Sequence, residues 1–140
     1  MTNEINELFP LAKEIAALAY KELIKINRDD VSKASYVNGL PREMKVSVDK
    51  IIEETIIENL LPTGLAILSE ESGELSGSYG SSLKFVVDPL DGTVNFVRGL
   101  GPCSVSIALC DNDNPIFGVL AIYPTGDFAW GGIGKGSFLN

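Results

Sequence analysis

Val86-Val87-Asp88-Pro89-Leu90-Asp91-Gly92-Thr93-Val94-Asn95-Phe96 follows directly on Leu83-Lys84-Phe85, and the run from Leu83 to Val87 reads as a buried strand. That strand ends on two carboxylates, Asp88 and Asp91, with a proline between them. Pro89 fixes its own φ and biases Asp88 towards an extended backbone, so a sharp turn here would let Asp88, the Leu90 carbonyl and Asp91 converge on one point. Converging oxygens suit a hard divalent cation. Gly92 permits close backbone approach, and a helix starting near Thr93 would aim free N–H groups at an anion. By itself Asp-Pro-Leu-Asp-Gly is equally a good turn sequence, since proline presets φ and Asp hydrogen-bonds its own backbone.

The upstream segment tips the balance. Gly64 to Leu68 is a short apolar run that delivers Ser69-Glu70-Glu71 at its end. Adjacent glutamates on a loop are ordinarily solvated surface. If the two strands are neighbours, however, Glu70, Asp88 and Asp91 meet without any histidine or thiolate, and three carboxylates crowd together only around a cation. Magnesium fits this set best, being hard, oxygen-seeking and content with a few carboxylates, waters and a substrate phosphate.

Further out, apolar residues recur at helical spacing from Ile5 to Ile26, interrupted by Pro10, where the regular helix should start or kink. Asn27 to Pro41 is polar and reads as a loop. Ser47 to Leu61 reads as a second helix, capped by Ser47, with Val48, Ile51, Ile52, Thr55, Ile56 and Leu60 as its apolar side and Pro62 as its stop. Glu43 and Asp49 near its start are read as surface groups that favour the helix dipole, the other reading being that one of them supplies a carboxylate near the site. Ser72 to Ser82 is rich in Ser and Gly and reads as a flexible connector. Cys103–Cys110 and Ile116–Ile122 alternate or run as strands around a hairpin loop, Asp111 to Pro115. That acidic loop is no EF-hand, because Ile116 and Ile122 stand where glycine and glutamate are needed. Asp127–Gly131 is a further strand, and Gly132–Ser137 lacks the Gly-Lys-Ser/Thr ending of a phosphate loop and reads as a turn.

Composition narrows the chemistry. With 140 residues the chain has the length of one domain, and its net charge of −8 disfavours a nucleic-acid polymer or an anionic membrane surface as partner. Histidine is absent, which removes imidazole bases and the Ser-His-Asp arrangement. The two cysteines should point to opposite faces of one strand and stay reduced. No leader or membrane span is visible, and the expected location is the cytoplasm.

Ile67-Leu68-Ser69-Glu70-Glu71-Ser72, Asp88 through Phe96, Ser104-Val105-Ser106-Ile107, Gly118-Val119 and Gly134 through Phe138 together resemble the inositol monophosphatase family, in that order and at similar separations. The resemblance implies an α+β, layered sugar-phosphatase-like fold, with two N-terminal helices on a mainly antiparallel sheet, of which residues 1–140 would form the N-terminal half, the C-terminal domain being absent. It implies Glu70, Asp88, the Leu90 carbonyl and Asp91 as metal ligands. Glu70 and Thr93 would orient and deprotonate the nucleophilic water, while Asp91, Gly92 and Thr93 face the substrate, the Gly92 and Thr93 amides holding its phosphate. Asn95 and Phe96 are read as structural support. The implied reaction is Mg2+-dependent hydrolysis of inositol-1-phosphate or a related sugar phosphate by in-line attack of metal-activated water. Bisphosphate nucleotidase and fructose-1,6-bisphosphatase activities are alternatives within the class. A non-catalytic metal-binding or association fragment is the alternative outside it. Relatives draw a further aspartate from their second half, so these 140 residues are expected to be weakly active or inactive by themselves. An uncovered half-fold is expected to self-associate, as a dimer.

Overall fold

The computed structural model describes residues 2–26, 41–78 and 80–140. Among the described residues, two helices, α1 (Thr2–Lys25) and α2 (Pro41–Leu60), precede seven strands: β1 (Ala66–Ser69), β2 (Gly73–Leu75), β3 (Leu83–Asp91), β4 (Cys103–Asp111), β5 (Asn114–Tyr123), β6 (Phe128–Gly132) and β7 (Gly136–Leu139). A short helix, α3 (Thr93–Val97), lies between β3 and β4. The strands form one sheet in the order β2-β1-β3-β4-β5-β6-β7. Every pairing is antiparallel except β1 with β3.

Helix α1 forms because Leu8, Ala12, Ile15, Ala16, Ala19 and Leu23 make one continuous buried stripe. It runs from Thr2 through Pro10, so the start or kink expected at the proline gives way to a helix already under way, with Pro10 on its exposed side. Helix α2 begins six residues before Ser47, which is therefore an interior residue and not a cap; Pro41 takes the first position, where a missing N–H costs nothing. Its buried side is Val48, Asp49, Ile52, Glu53, Ile56 and Leu60, while Ile51 is exposed. The helix is thus rotated away from the purely apolar stripe that the sequence implied, and two acidic residues lie on its inner side. The loop expected over Asn27 to Pro41 falls, up to residue 40, outside the described residues, as does the side chain of Glu43.

Both long helices pack on one face of the sheet, α1 over β4 and β5 and α2 over β1 and β3. Inward residues alternate along the strands: Leu83, Phe85 and Val87 on β3, Val105, Ile107 and Leu109 on β4, Phe117, Val119 and Ala121 on β5. The expected alternation of β4 is therefore present, and Cys103 and Cys110 are both free thiols. The opposite face carries Val86, Asp88, Ser104, Ser106, Leu120 and Ile122, all at least partly exposed. Three further expectations shift. Ser72–Ser82 contains β2, which pairs with β1 through Ile67–Leu75 and Ser69–Gly73. The β4–β5 hairpin closes more tightly than a five-residue loop, with Asp111 paired to Asn114 and Asn112 at φ 53°. The turn after β6 is present, and it leads into β7.

Candidate active site

The parallel pairing of β1 and β3 places the acidic residues. Ser69 is in register with Val87, so the next residues, Glu70 and Asp88, leave the two strands side by side, and the Glu70 N–H donates to the Val87 carbonyl at 3.2 Å. Asp91 arrives by another route. On a regular strand, residues three apart point to opposite faces. Here Asp88 opposes Ser106 while Asp91 opposes Ser104, so three steps on β3 match two on β4. This is a β-bulge, and its extra residue brings both aspartates to the face opposite the helices. The sharp turn expected at Asp88-Pro89 is thus a bulged continuation of the strand: Pro89 removes a ladder hydrogen bond without ending the pairing.

Local hydrogen bonds fix the segment. The Leu90 N–H donates to Asp88 Oδ1 at 3.2 Å. Gly92 sits at φ 85°, and a Cβ there would lie 3.1 Å from the Cys103 Cβ, so both conformation and space select glycine. From Gly92 the chain turns into α3. Phe96 is fully buried and meets the Tyr123 ring edge-on at 5.2 Å, and the Asn95 amide donates to the Pro102 carbonyl at 3.2 Å. Phe96 thus packs in the core, while Asn95 also lines the cavity described next.

Glu70, Asp88, Leu90, Asp91, Gly92 and Thr93 line one open cavity of about 230 Å³. Asp88 has a pKa pushed up to about 7, first by burial, then by a side-chain hydrogen bond with Glu70 and by the charges of Glu70 and Asp91, against the Leu90 N–H, which lowers it. A carboxylate only accepts, so a hydrogen bond between two carboxyl groups needs a proton between them.

Asp49 corrects the reading as a surface group. It is 1% exposed, and its Oδ1 accepts from Thr93 Oγ1 at 3.0 Å. The same hydroxyl is 2.7 Å from the Leu90 carbonyl oxygen. One hydroxyl proton is thus shared between two acceptors, and α2 is tied to the bulge through Thr93. The position of Asp49 beside Val48 and Ile52, on the buried side of α2, is the signal that could have found it.

The donor set suits a hard cation: oxygen atoms only, with the carboxyls of Glu70, Asp88 and Asp91 on one cavity. Among the described residues no three Asp, Glu, Cys or His side chains form a ready-made clasp.

The profile of the inositol monophosphatase family matches residues 3–140. The chain belongs to this family. It is 36% identical over 93 residues to the fructose-1,6-bisphosphatase/inositol-1-monophosphatase of Thermococcus kodakarensis, covering 66% of this chain and 36% of the relative. The protein of the same name from Aquifex aeolicus is 33% identical over 129 residues, 91% of this chain and 48% of the relative. Among solved structures, an extragenic suppressor from Pyrococcus furiosus superposes with a TM-score of 0.76 at 28% identity, over 97% of this chain and 53% of that one. The chain spans about half the length of the relatives it matches. Members of this family are generally metal-dependent phosphatases acting on small phosphate esters.

Proposed function

We propose that the chain carries the metal- and phosphate-binding half of a Mg2+-dependent phosphomonoesterase acting on inositol-1-phosphate or a related sugar phosphate. The observation that carries this reading is the meeting of Glu70, Asp88 and Asp91 on one cavity, through parallel strand ends and a bulge, with the Thr93 hydroxyl beside them. Glu70, Asp88, the Leu90 carbonyl and Asp91 would hold the ion. When bound, Mg2+ supplies Lewis acidity to the phosphate and to an attacking water. Thr93, fixed by Asp49 and by the Leu90 carbonyl, orients that water through its hydroxyl oxygen, and Glu70 takes its proton. The Gly92 and Thr93 amides and Asp91 face the phosphate. Asp88 would hold the ion as a carboxylate, so binding would be favoured as pH rises towards 7.

We propose further that residues 1–140 by themselves bind Mg2+ weakly and turn over little, as the N-terminal domain of the larger fold. Their sheet face opposite the helices, with Leu68 and Leu120 exposed, supports self-association as a dimer. Two buried free cysteines suit a reducing compartment such as the cytoplasm. Among the described residues no helix is long and apolar enough to cross a membrane.

A phosphate-release panel of inositol-1-phosphate, fructose-1,6-bisphosphate and a 3′,5′-bisphosphonucleotide, run with Mg2+ and with EDTA, tests the reading. Release that depends on Mg2+ supports it. Absence of Mg2+ binding by calorimetry, or release indifferent to EDTA, overturns it.

A further inference from the structure

Helix α2 presents a second buried carboxylate to the far side of the site. Glu53 stands one helical turn beyond Asp49 and is only 5% exposed, a placement that a glutamate tolerates only when fully bonded. Its partners bracket Glu70. Ser69 Oγ donates to Glu53 Oε1. The Ser72 N–H donates to the same oxygen at 3.1 Å. Ser72 Oγ donates to Oε2 at 2.6 Å. Both ends of the three-residue link between β1 and β2 are therefore held by one side chain of α2, while Glu70 itself projects into solvent at the cavity. The link has one further backbone tie, the Glu70 N–H to the Val87 carbonyl.

Three donors around one side chain demand an acceptor-only group. Glutamine would keep the volume but replace one oxygen with an NH2. Placed towards Ser69 and the Ser72 amide, that NH2 would face an N–H that cannot accept; placed the other way, it would force the Ser72 hydroxyl to reverse.

Resting on the metal reading above, we propose that Glu53 is a positioning residue: by clamping Ser69 and Ser72 it holds the Glu70 carboxyl beside Asp88, so that α2 sets both sides of the site, Thr93 through Asp49 and Glu70 through Glu53. Glu53 touches neither the cavity nor the proposed ligands' oxygens. Its contribution is geometric.

The test compares the wild-type chain with Glu53→Gln and Ser72→Ala, using Mn2+ as an EPR-visible probe and amide hydrogen exchange as a readout independent of activity. Ser72 is exposed, so its alanine variant preserves the fold even where Glu53→Gln does not. Exchange at Glu70, Glu71 and Ser72 should accelerate by roughly tenfold while β3 and β4 amides keep their protection. Mn2+ affinity should fall by about tenfold, the usual effect of losing a group that orients a ligand. Unchanged exchange in the link in both variants overturns the proposal. So does faster exchange with unchanged Mn2+ affinity, which would make the clamp structural alone. If the wild-type chain takes up no Mn2+, the metal reading fails first and the positioning role falls with it, a result distinct from either variant outcome.

Discussion

Two acidic, proline-containing segments lie at opposite ends of the same strands, and the structure treats them in opposite ways. Asp88-Pro89-Leu90-Asp91 closes β3, and Asp111-Asn112-Asp113-Asn114-Pro115 joins β4 to β5. In the first, burial and a neighbouring glutamate hold the Asp88 proton on up to about pH 7. In the second, Lys84 Nζ lies 2.8 Å from Asp113 Oδ1, and that hydrogen bond lowers the pKa of Asp113, which stays in water. Similar letters thus yield a strained cluster at one end and a relaxed turn at the other. What separates them is the surroundings: the first has an acidic neighbour on a parallel strand and a helix pressed behind it, and the second has a cation and open solvent.

The contrast can be broken by substitution. The largest effect belongs to Asp91→Asn, which, in a version of the chain joined to the second half of the family fold, should lower Mg2+-dependent phosphate release by roughly a hundredfold or more, since it withdraws charge from the place where it acts. Asp113→Asn in a parallel assay should leave release unchanged, and equal losses in the two variants would erase the distinction between the segments. Thr93→Val keeps the shape and removes the hydroxyl. It should reduce release by at least about tenfold, and should cost about 1–2 kcal/mol in urea unfolding, because Asp49 and the Leu90 carbonyl lose a donor.

Gly92→Ala probes the backbone between the aspartates and α3. Forcing a Cβ into a left-handed conformation costs about 1–2 kcal/mol before the contact with Cys103 is counted, and denaturant midpoints will show whether that cost appears.

A pH series sharpens the comparison electrostatically. The folded-state pKa of Asp88, about 7, lies above its ordinary 3.8. Between those values the metal-free folded chain holds a proton that the unfolded chain has lost, so the stability supplied by this group is present at low pH and is lost as pH rises through 7. Thermal melts of wild type should therefore decline relative to Asp88→Asn between pH 5 and 8, and added Mg2+ should reverse the decline at pH 8. Parallel curves would contradict the assignment. The smallest effect is expected from Lys84→Met: its exposed partner gains little from the pair, and the melting midpoint should not move measurably.

The sequence made the order of elements and the acidic triad legible, because strand ends are marked by apolar runs and Glu70, Asp88 and Asp91 follow them directly. It hid whatever depends on a neighbour. The bulge could not be told from a turn, since Pro89 and Gly92 serve either. Strand β2 is three residues within a Ser/Gly-rich stretch and exists through its pairing with β1. Asp49 read as a surface charge on a helix and Glu53 drew no reading at all, and the burial of both became visible only when the rotation of α2 against β1 and β3 was known. Their four-residue spacing beside Val48, Ile52 and Ile56 was the available clue.

The bulge also constrains how this chain can vary. Strand ends and turns usually absorb the gain or loss of a residue without harm. Here, deleting Leu90 would remove the bulge and leave the two aspartates on one face by plain alternation, but it would take away the carbonyl to which the Thr93 hydroxyl donates. Such a length change, with every acidic residue still present, would separate what the acids contribute from what the extra residue between them contributes.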